Sequence, residues 1–376
     1  MSTFSVPRGL AGVVVTDTGL GDVRGTEGFY HYREYSAVDL AAHRSFEEVA
    51  HLLVEGHLPD RAELTAYRER IGTARVAPAA LTEVLPVLVR GARSPLTALR
   101  TTWSWLGGHL DLPPGYDSTP QERADQALRL AALAPTVLAA AHRLAVGLDP
   151  VPADPGLGHT ADYLRMVTGR DPDEEDVRAL ERYLVLTIDH GFSASTFTAR
   201  TVASTGADPA AALVAALGSF SGPLHGGAPS RALEALDEIG SPDRARAWVR
   251  EQVAAGRRVM GFGHAVYRTR DPRSETLKRI AARRGGPLAE LAVRVEEEVE
   301  RALAELKPGR ELHANVEYYA CVVMEQVGLP RSMFTPTFCV ARAFGWVAHV
   351  LEQALDPKII RPAARYVGPP APQPLP

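Results

Sequence analysis

Helix starts recur along this chain in one grammar, and that grammar limits the possible folds more than any other feature. A Ser, Thr or Asp is followed at once by Pro in Thr119-Pro120, Asp171-Pro172, Asp208-Pro209 and Ser241-Pro242. The side-chain oxygen serves the open N–H groups of a helix end, and Pro suits the first helical position, where no N–H is needed. Ser45-Phe46-Glu47-Glu48 adds a capping box, and Asp60 with Glu63 opens a further helix. Phe46, Val49, Ala50, Leu53 and Val54 form an apolar stripe stopped by Gly56, and Gly218 and Gly256 read as later helix stops. Pro287 to Leu306 reads as a long amphipathic helix with an acidic face. Only the first 35 residues differ. There the β-branched run Gly12-Val13-Val14-Val15-Thr16 and the glycines that follow predict short strands or a hairpin. The expected class is mainly α with a small N-terminal β element.

With 376 residues, 45% of them apolar, the chain can bury a sizeable core. Its net charge of −4 argues against a general nucleic-acid binder. Cys321 and Cys339 lie in apolar surroundings without CxxC spacing, so neither a disulfide framework nor a structural zinc site is expected. Met1 to Leu10 lacks the basic start and apolar run of a secretion signal, and no stretch of about 18 apolar residues offers a membrane span. A reducing cytoplasm is the expected location. No repeat is visible, and the Pro-rich tail after Gly368 is expected to fray.

Most of the twelve histidines sit singly on helices, where a histidine is usually an ordinary surface or core residue. Three have different company. His225 lies in Gly222-Pro223-Leu224-His225-Gly226-Gly227-Ala228, and His264 in Met260-Gly261-Phe262-Gly263-His264-Ala265. Glycines on both sides let a ligand approach the backbone closely. His190 ends the run Tyr183 to Asp189 and precedes Gly191 and Ser193-Ala194-Ser195-Thr196. None belongs to HxxxH or HExxH, so no metal is expected there.

Between Arg257 and Arg284 nine basic residues face only Asp271 and Glu275. Such a segment is either a solvated helix face or a seat for a phosphate-rich ligand beside His264. There is no Walker loop and no GxGxxG. Asn315 reads as a helix cap that places Glu317 in the first turn, where the helix dipole favours an ionised carboxylate, a usable general base.

In this order the segments resemble the citrate synthase family. Gly261 to Arg273 is similar to its signature loop, Gly222 to Ala228 to its second histidine loop, and Asp189-His190 with Ser193 to Phe197 to its first. The resemblance extends from Phe46-Glu47-Glu48 to Arg361-Pro362 and covers roughly residues 10 to 368. It implies condensation of acetyl-CoA with oxaloacetate and water to give citrate and CoA, with the CoA thioester as co-substrate and no tightly bound cofactor. By the family pattern Glu317 is the base, His225 the donor to the enol oxygen, and His264 the group that polarises the oxaloacetate ketone. His190, Arg273, Arg342 and Arg361 match the oxaloacetate contacts, and Arg257, Arg258, Lys278 and Arg279 are candidates for the CoA phosphates.

The resemblance also implies a large helical domain, residues 1–226 and 329–376, and a small one, 227–328, that closes the site. Read from the sequence alone, glycine clusters near 218–227, 256–263 and 285–286 are the expected hinge or loop positions. It implies a homodimer, and with no long N-terminal extension seen, a plain dimer is expected rather than an NADH-regulated hexamer. The expected partners are the two substrates, not nucleic acid or membrane. Two departures stand out. Glu317 replaces the usual Asp, which shifts the base by about one C–C bond, and errors near 1 Å cost about a hundredfold in rate. Gly191-Phe192-Ser193 stands where Glu and Asn are common. 2-Methylcitrate synthase, which takes propionyl-CoA on the same scaffold, is the nearest alternative, and a catalytically silent CoA-binding relative is another.

Overall fold

The computed structural model describes residues 6–223, 225–226 and 228–375. Leu224 and Gly227 of the second histidine loop, and Met1 to Ser5, lie outside the described residues, as does the start of the expected small domain at 227. Among the described residues an antiparallel sheet of β1 (Gly21–Arg24), β2 (Phe29–Tyr32) and β3 (Tyr35–Ser36) precedes sixteen helices. These are α1 (Ala37–His43), α2 (Phe46–Glu55), α3 (Arg61–Arg75), α4 (Ala79–Arg90), α5 (Pro95–His109), α6 (Pro120–Ala145), α7 (His159–Thr168), α8 (Glu174–Thr187), α9 (Ala194–Ala203), α10 (Pro209–Phe220), α11 (Ala228–Ile239), α12 (Pro242–Ala254), α13 (Pro272–Arg284), α14 (Pro287–Leu306), α15 (Val316–Gln326) and α16 (Phe334–Gln353).

The caps are where the grammar puts them. Ser45, Asp60 and Thr119 each close a full capping box. Asp208 accepts from the N–H of Ala211, and Ser241 precedes Pro242 at the head of α12. Three boundaries differ. Helix α8 starts two residues after Pro172, because Asp173 caps it through the N–H of Asp176 and Glu174, Glu175 and Asp176 fill the dipole-favoured first turn. Helix α10 runs through Gly218 to Phe220; burying that ring against His225, Phe338 and Trp346 outweighs the cost of about 1 kcal/mol of a helical glycine. The valine run at 13–15 is not in the sheet, and Val14 is 85% exposed. The hairpin forms further on, with Gly21 opposite Tyr32 and Arg24 opposite Phe29. Strand propensity without a packing partner does not make a strand.

Helices α6 and α16 are apolar on nearly every side and form the centre, where α16 packs on α2, α6, α8, α9 and α10. Helices α11 to α15 pack chiefly on one another: α12 on α14, α13 on α15, and α11 on α15. They meet the centre through α11 on α16 and α15 on α8. No single helix among the described residues is long and apolar enough to cross a membrane.

Candidate active site

The sheet and α16 together fix the loop after α8. Tyr30 donates its hydroxyl to the carbonyl of Leu186 (3.0 Å), and Tyr32 donates to those of Val185 (2.9 Å) and Asp189 (3.1 Å). From below, α16 passes so close that a Cβ on Gly345 would sit 2.1 Å from the Ile188 carbonyl oxygen; only glycine fits. His349 Nε2 donates to Asp189 Oδ1 (3.1 Å), and Asp189 Oδ2 accepts the N–H of Gly191 (3.0 Å). Burial works against the Asp189 charge, but His349 and Arg342 hold the group below its ordinary range. His190 is thereby held half-buried, sharing a hydrogen bond from Nε2 with the Tyr267 hydroxyl (3.1 Å), its ring 5.5 Å from that of His264. Burial, then the charge of Arg273, pushes its pKa well down, so the ring is neutral.

The His264 loop is pinned to the head of α15. Gly261 and Gly263 adopt φ of 84°, a left-handed conformation that favours glycine. The Asn315 N–H donates to the Gly261 carbonyl (2.9 Å), and the Asn315 side chain to that of Gly263 (3.0 Å). The β1–β2 turn touches the same loop, the Gly25 carbonyl accepting the N–H of Arg268 (2.9 Å). His264 Nδ1 accepts two backbone N–H groups, from Val266 (3.0 Å) and Tyr267 (3.1 Å), so the proton of the neutral ring belongs on Nε2. Nε2 lies 3.1 Å from Arg273 Nη2, itself a donor. Two donors with no acceptor between them define a place for an oxygen of a ligand. Burial, then Arg273, pushes His264 down to about 4.

Arg273 is buried and paired with Asp271 (Nε–Oδ1 3.0 Å, Nη2–Oδ2 2.8 Å). Asp271 also caps α13 and accepts the N–H of Val316 (3.0 Å), tying the heads of α13 and α15 together. Burial alone would raise Asp271; Arg273 beside it keeps it low and ionised.

His225 follows the end of α10 and lies near Arg342, whose charge acts on it. Its Nε2 lies 2.8 Å from Ser195 Oγ, which accepts the indole N–H of Trp346 (3.1 Å). The backbone N–H of Ser195 also donates to Nε2 (3.4 Å), so Nε2 is the acceptor nitrogen, the Ser195 hydroxyl can donate to it as well, and Nδ1 carries the ring proton. Burial and then Arg342 push His225 down to about 4, so it is a neutral donor at Nδ1. Arg342 is 1% exposed, donates Nε to the Thr187 carbonyl (2.9 Å), and stacks over Phe338. Among the described residues no carboxylate forms an ion pair with it. Burying a guanidinium without an ion-paired carboxylate is costly, and an anionic ligand would offset that cost.

Glu317 occupies the first turn of α15 under the Asn315 cap, as the spacing predicts. Its expected ionisation is corrected. Burial raises the carboxyl to about 8, and the opposing pull of Arg273 is the smaller effect. Its carboxyl makes no hydrogen bond among the described residues.

The remaining sequence-predicted residues do not gather there. Arg361 is exposed in the C-terminal coil. Its neighbour Ile360 is fixed to Ser204 (3.0 Å), beyond the far end of α9 from Ser195, about 14 Å along the helix. The basic segment is less bare than its sequence suggests, because acids distant in sequence reach it. Lys278 pairs with the buried Glu296 (2.5 Å), Arg270 with Glu300 (2.8 Å), Arg284 with Asp176, and Arg257 with Glu251 (3.2 Å). Lys278 is thereby committed to the interior. Arg258 and Arg279 are exposed and have no ion pair among the described residues.

Sequence reasoning missed Ser195, Trp346 and Tyr267 as supporting groups, and Asp271 as more than a counter-charge. Asp271-Pro272 carries the same cap grammar as the other helix starts and gave a usable signal. The Ser195–Trp346 contact joins α9 to α16 across the fold and gave none.

A family model described as "Citrate synthase, C-terminal domain" matches residues 9–363. The chain belongs to the citrate synthase family. The citrate synthase of Haloferax volcanii is 37% identical over 370 residues, covering 96% of this chain and 95% of that protein. The 2-methylcitrate synthase of Mycobacterium tuberculosis is also 37% identical, over 363 residues, covering 96% and 91%. The crystal structure of the Thermotoga maritima citrate synthase superposes with a TM-score of 0.87 at 32% identity, covering 99% of this chain and 98% of that one. That of Thermoplasma acidophilum, a ternary complex with carboxymethyl coenzyme A and oxaloacetate, gives 0.88 at 27% identity, with coverage of 99% and 98%.

Proposed function

We propose that this member of the family condenses acetyl-CoA with oxaloacetate and water, releasing citrate and CoA. The observation that carries the reading is Arg342, a buried cation that forms no ion pair with a carboxylate among the described residues, beside neutral His190 and the facing donors of His264 and Arg273. Oxaloacetate is a dianion with a ketone. Its carboxylates suit Arg342 and Arg273, with His190 as a further contact, and its ketone oxygen suits the N–H at His264 Nε2.

The thioester methyl is a very weak carbon acid, so removing its proton needs a base and, at the same moment, a donor to the enol oxygen. Glu317 supplies the base. A carboxyl raised to about 8 is a stronger base than an ordinary one and is matched to neutral pH. His225 supplies the donor at Nδ1, its tautomer set by Ser195. The enol carbon attacks the oxaloacetate ketone, the C–C bond forms, and His264 gives its Nε2 proton to the new alkoxide. Water then cleaves the thioester and makes the sequence irreversible.

Arg258 and Arg279 are proposed contacts for the CoA phosphates. The segment from 227 to 328 is proposed as the small domain, whose closure keeps water from the enol. The protein is proposed to act as a cytoplasmic homodimer, and Arg361, exposed and remote from its own site, contributes to oxaloacetate binding only if a second copy receives it.

Equal identity to a citrate synthase and a 2-methylcitrate synthase keeps propionyl-CoA in view, since one methyl is worth only about 1–3 kcal/mol in an apolar pocket. Oxaloacetate-dependent release of CoA thiol, with both thioesters run side by side, tests the proposal. Faster release from acetyl-CoA supports it. Preference for propionyl-CoA assigns the second activity, and no release from either leaves a silent CoA binder.

A further inference from the structure

The corner between α2 and α3 carries a cluster that the condensation does not use. Helix α2 ends at Gly56 in the left-handed cap conformation, the chain turns through His57, Leu58 and Pro59, and Asp60 caps α3. This turn folds three potential ligand groups together. His51 is buried on α2, while His57 and Glu63 have side chains 56% and 42% exposed. One donor atom from each lies within 4.8 Å of the other two.

Each orientation has a local cause. His51 Nδ1 donates to the His57 carbonyl (2.9 Å), which leaves the lone pair on Nε2, and Nε2 makes no hydrogen bond among the described residues. A backbone carbonyl holding the far nitrogen is how proteins orient a metal-binding imidazole. Glu63 accepts the Asp60 N–H at Oε2 (2.8 Å) as part of the capping box, and Oε1 lies 3.1 Å from His57 Nε2. Both His51 and Glu63 therefore spend one atom on the backbone; Glu63 Oε1 is paired with the His57 ring, and a metal ion would replace the proton shared between them. No Lys or Arg claims the Glu63 carboxylate among the described residues; nearby Arg70 is taken by Glu55 (3.2 Å) and Asp125 (2.5 Å). Zinc bonds of about 2.0–2.1 Å place tetrahedral ligand atoms about 3.3 Å apart. The His57–Glu63 pair already has nearly that spacing, and the three atoms lie within 4.8 Å of one another, so closing the set takes shifts of about 1–1.5 Å, which the exposed His57 and Glu63 side chains can supply.

We propose that His51, His57 and Glu63 bind one divalent transition-metal ion of the zinc class, which clamps the α2–α3 corner and leaves a fourth position for water. Two imidazoles and one carboxylate select zinc, cobalt or nickel over magnesium or calcium, which prefer all-oxygen sites. The corner is separate from the condensation site, and the proposal does not depend on the function assigned above.

Equilibrium dialysis of the full-length protein at pH 7.5 against zinc chloride, with magnesium chloride as the control, tests it. Wild type should hold one zinc per chain more than His57→Ala and Glu63→Gln do, each variant losing about tenfold or more in affinity for that ion. The Gln variant keeps the cap, and metal-free melting temperatures and far-UV circular dichroism spectra equal to those of wild type verify the fold of both variants. Cobalt should give wild type a visible absorption band that both variants lack, and zinc should raise the melting temperature of wild type alone. Equal zinc stoichiometry and affinity in all three proteins overturns the site, as does magnesium displacing zinc at comparable concentration.

Discussion

Glu317→Gln should make the protein more stable and catalytically dead, and both effects follow from one group. The folded carboxyl titrates near 8 against an ordinary 4.5, because burial opposes its charge. Below pH 4.5 the group is neutral in folded and unfolded chains alike and has no effect. As pH rises from 4.5 toward 8, the unfolded chain ionises and the folded one resists, so stability is lost progressively. Above 8 the loss is complete, at about 5 kcal/mol, and at pH 7 it is about 3 kcal/mol. Glutamine keeps the shape and removes the charge, so its advantage over wild type should grow across that window. The same group sets the rate. About a tenth of Glu317 is ionised at pH 7 and about nine-tenths at pH 9, so kcat/KM for the acyl-CoA should rise severalfold between them. Urea unfolding of wild type and Glu317→Gln at pH 5, 7 and 8.5, paired with the pH–rate profile of wild type, measures both. A variant no more stable than wild type at pH 8.5, or a profile flat from pH 6.5 to 9, refutes the reasoning.

Ser195→Ala removes the hydroxyl that helps fix the His225 tautomer and strands the Trp346 N–H; kcat should fall about 10–100-fold in steady-state assays, and chemical denaturation should show a stability loss of about 1–3 kcal/mol. Arg342→Leu should raise the KM for oxaloacetate by about two orders of magnitude in initial-rate measurements, and denaturation in the absence of substrate should show a loss of about 1–3 kcal/mol, because the Thr187 carbonyl loses its donor and buried Asp189 loses a supporting positive charge. Gly345→Ala drives a Cβ into the Ile188 carbonyl; thermal melts should show a loss of about 1–3 kcal/mol or more, and kcat should fall through displacement of His190.

The sequence was most informative where one residue has one local task. Caps at Ser45, Asp60, Thr119 and Asn315 depend on neighbours within four positions, and each appears in the structure where the sequence puts it. The glycines at 261 and 263 marked a backbone that only glycine adopts easily, and the histidine beside them faces the site. Legibility ended where the deciding partner is far along the chain. Lys278 looked free until Glu296, 18 residues on, proved to hold it. The dipole of α15 favours an ionised Glu317, but burial, which depends on residues far along the chain, outweighs it. Arg361 carries the family pattern, yet its segment is held at Ser204, at the opposite end of α9 from Ser195 and His225.

The central claim is that Glu317 removes the proton that starts a carbon–carbon condensation. Oxaloacetate-dependent release of thiol from acetyl-CoA at pH 8, compared between wild type and Glu317→Gln, tests it most directly. The account predicts turnover by wild type and a rate at least about a thousandfold lower in the variant, with oxaloacetate still protecting the variant against thermal unfolding. Turnover by Glu317→Gln within tenfold of wild type would contradict it.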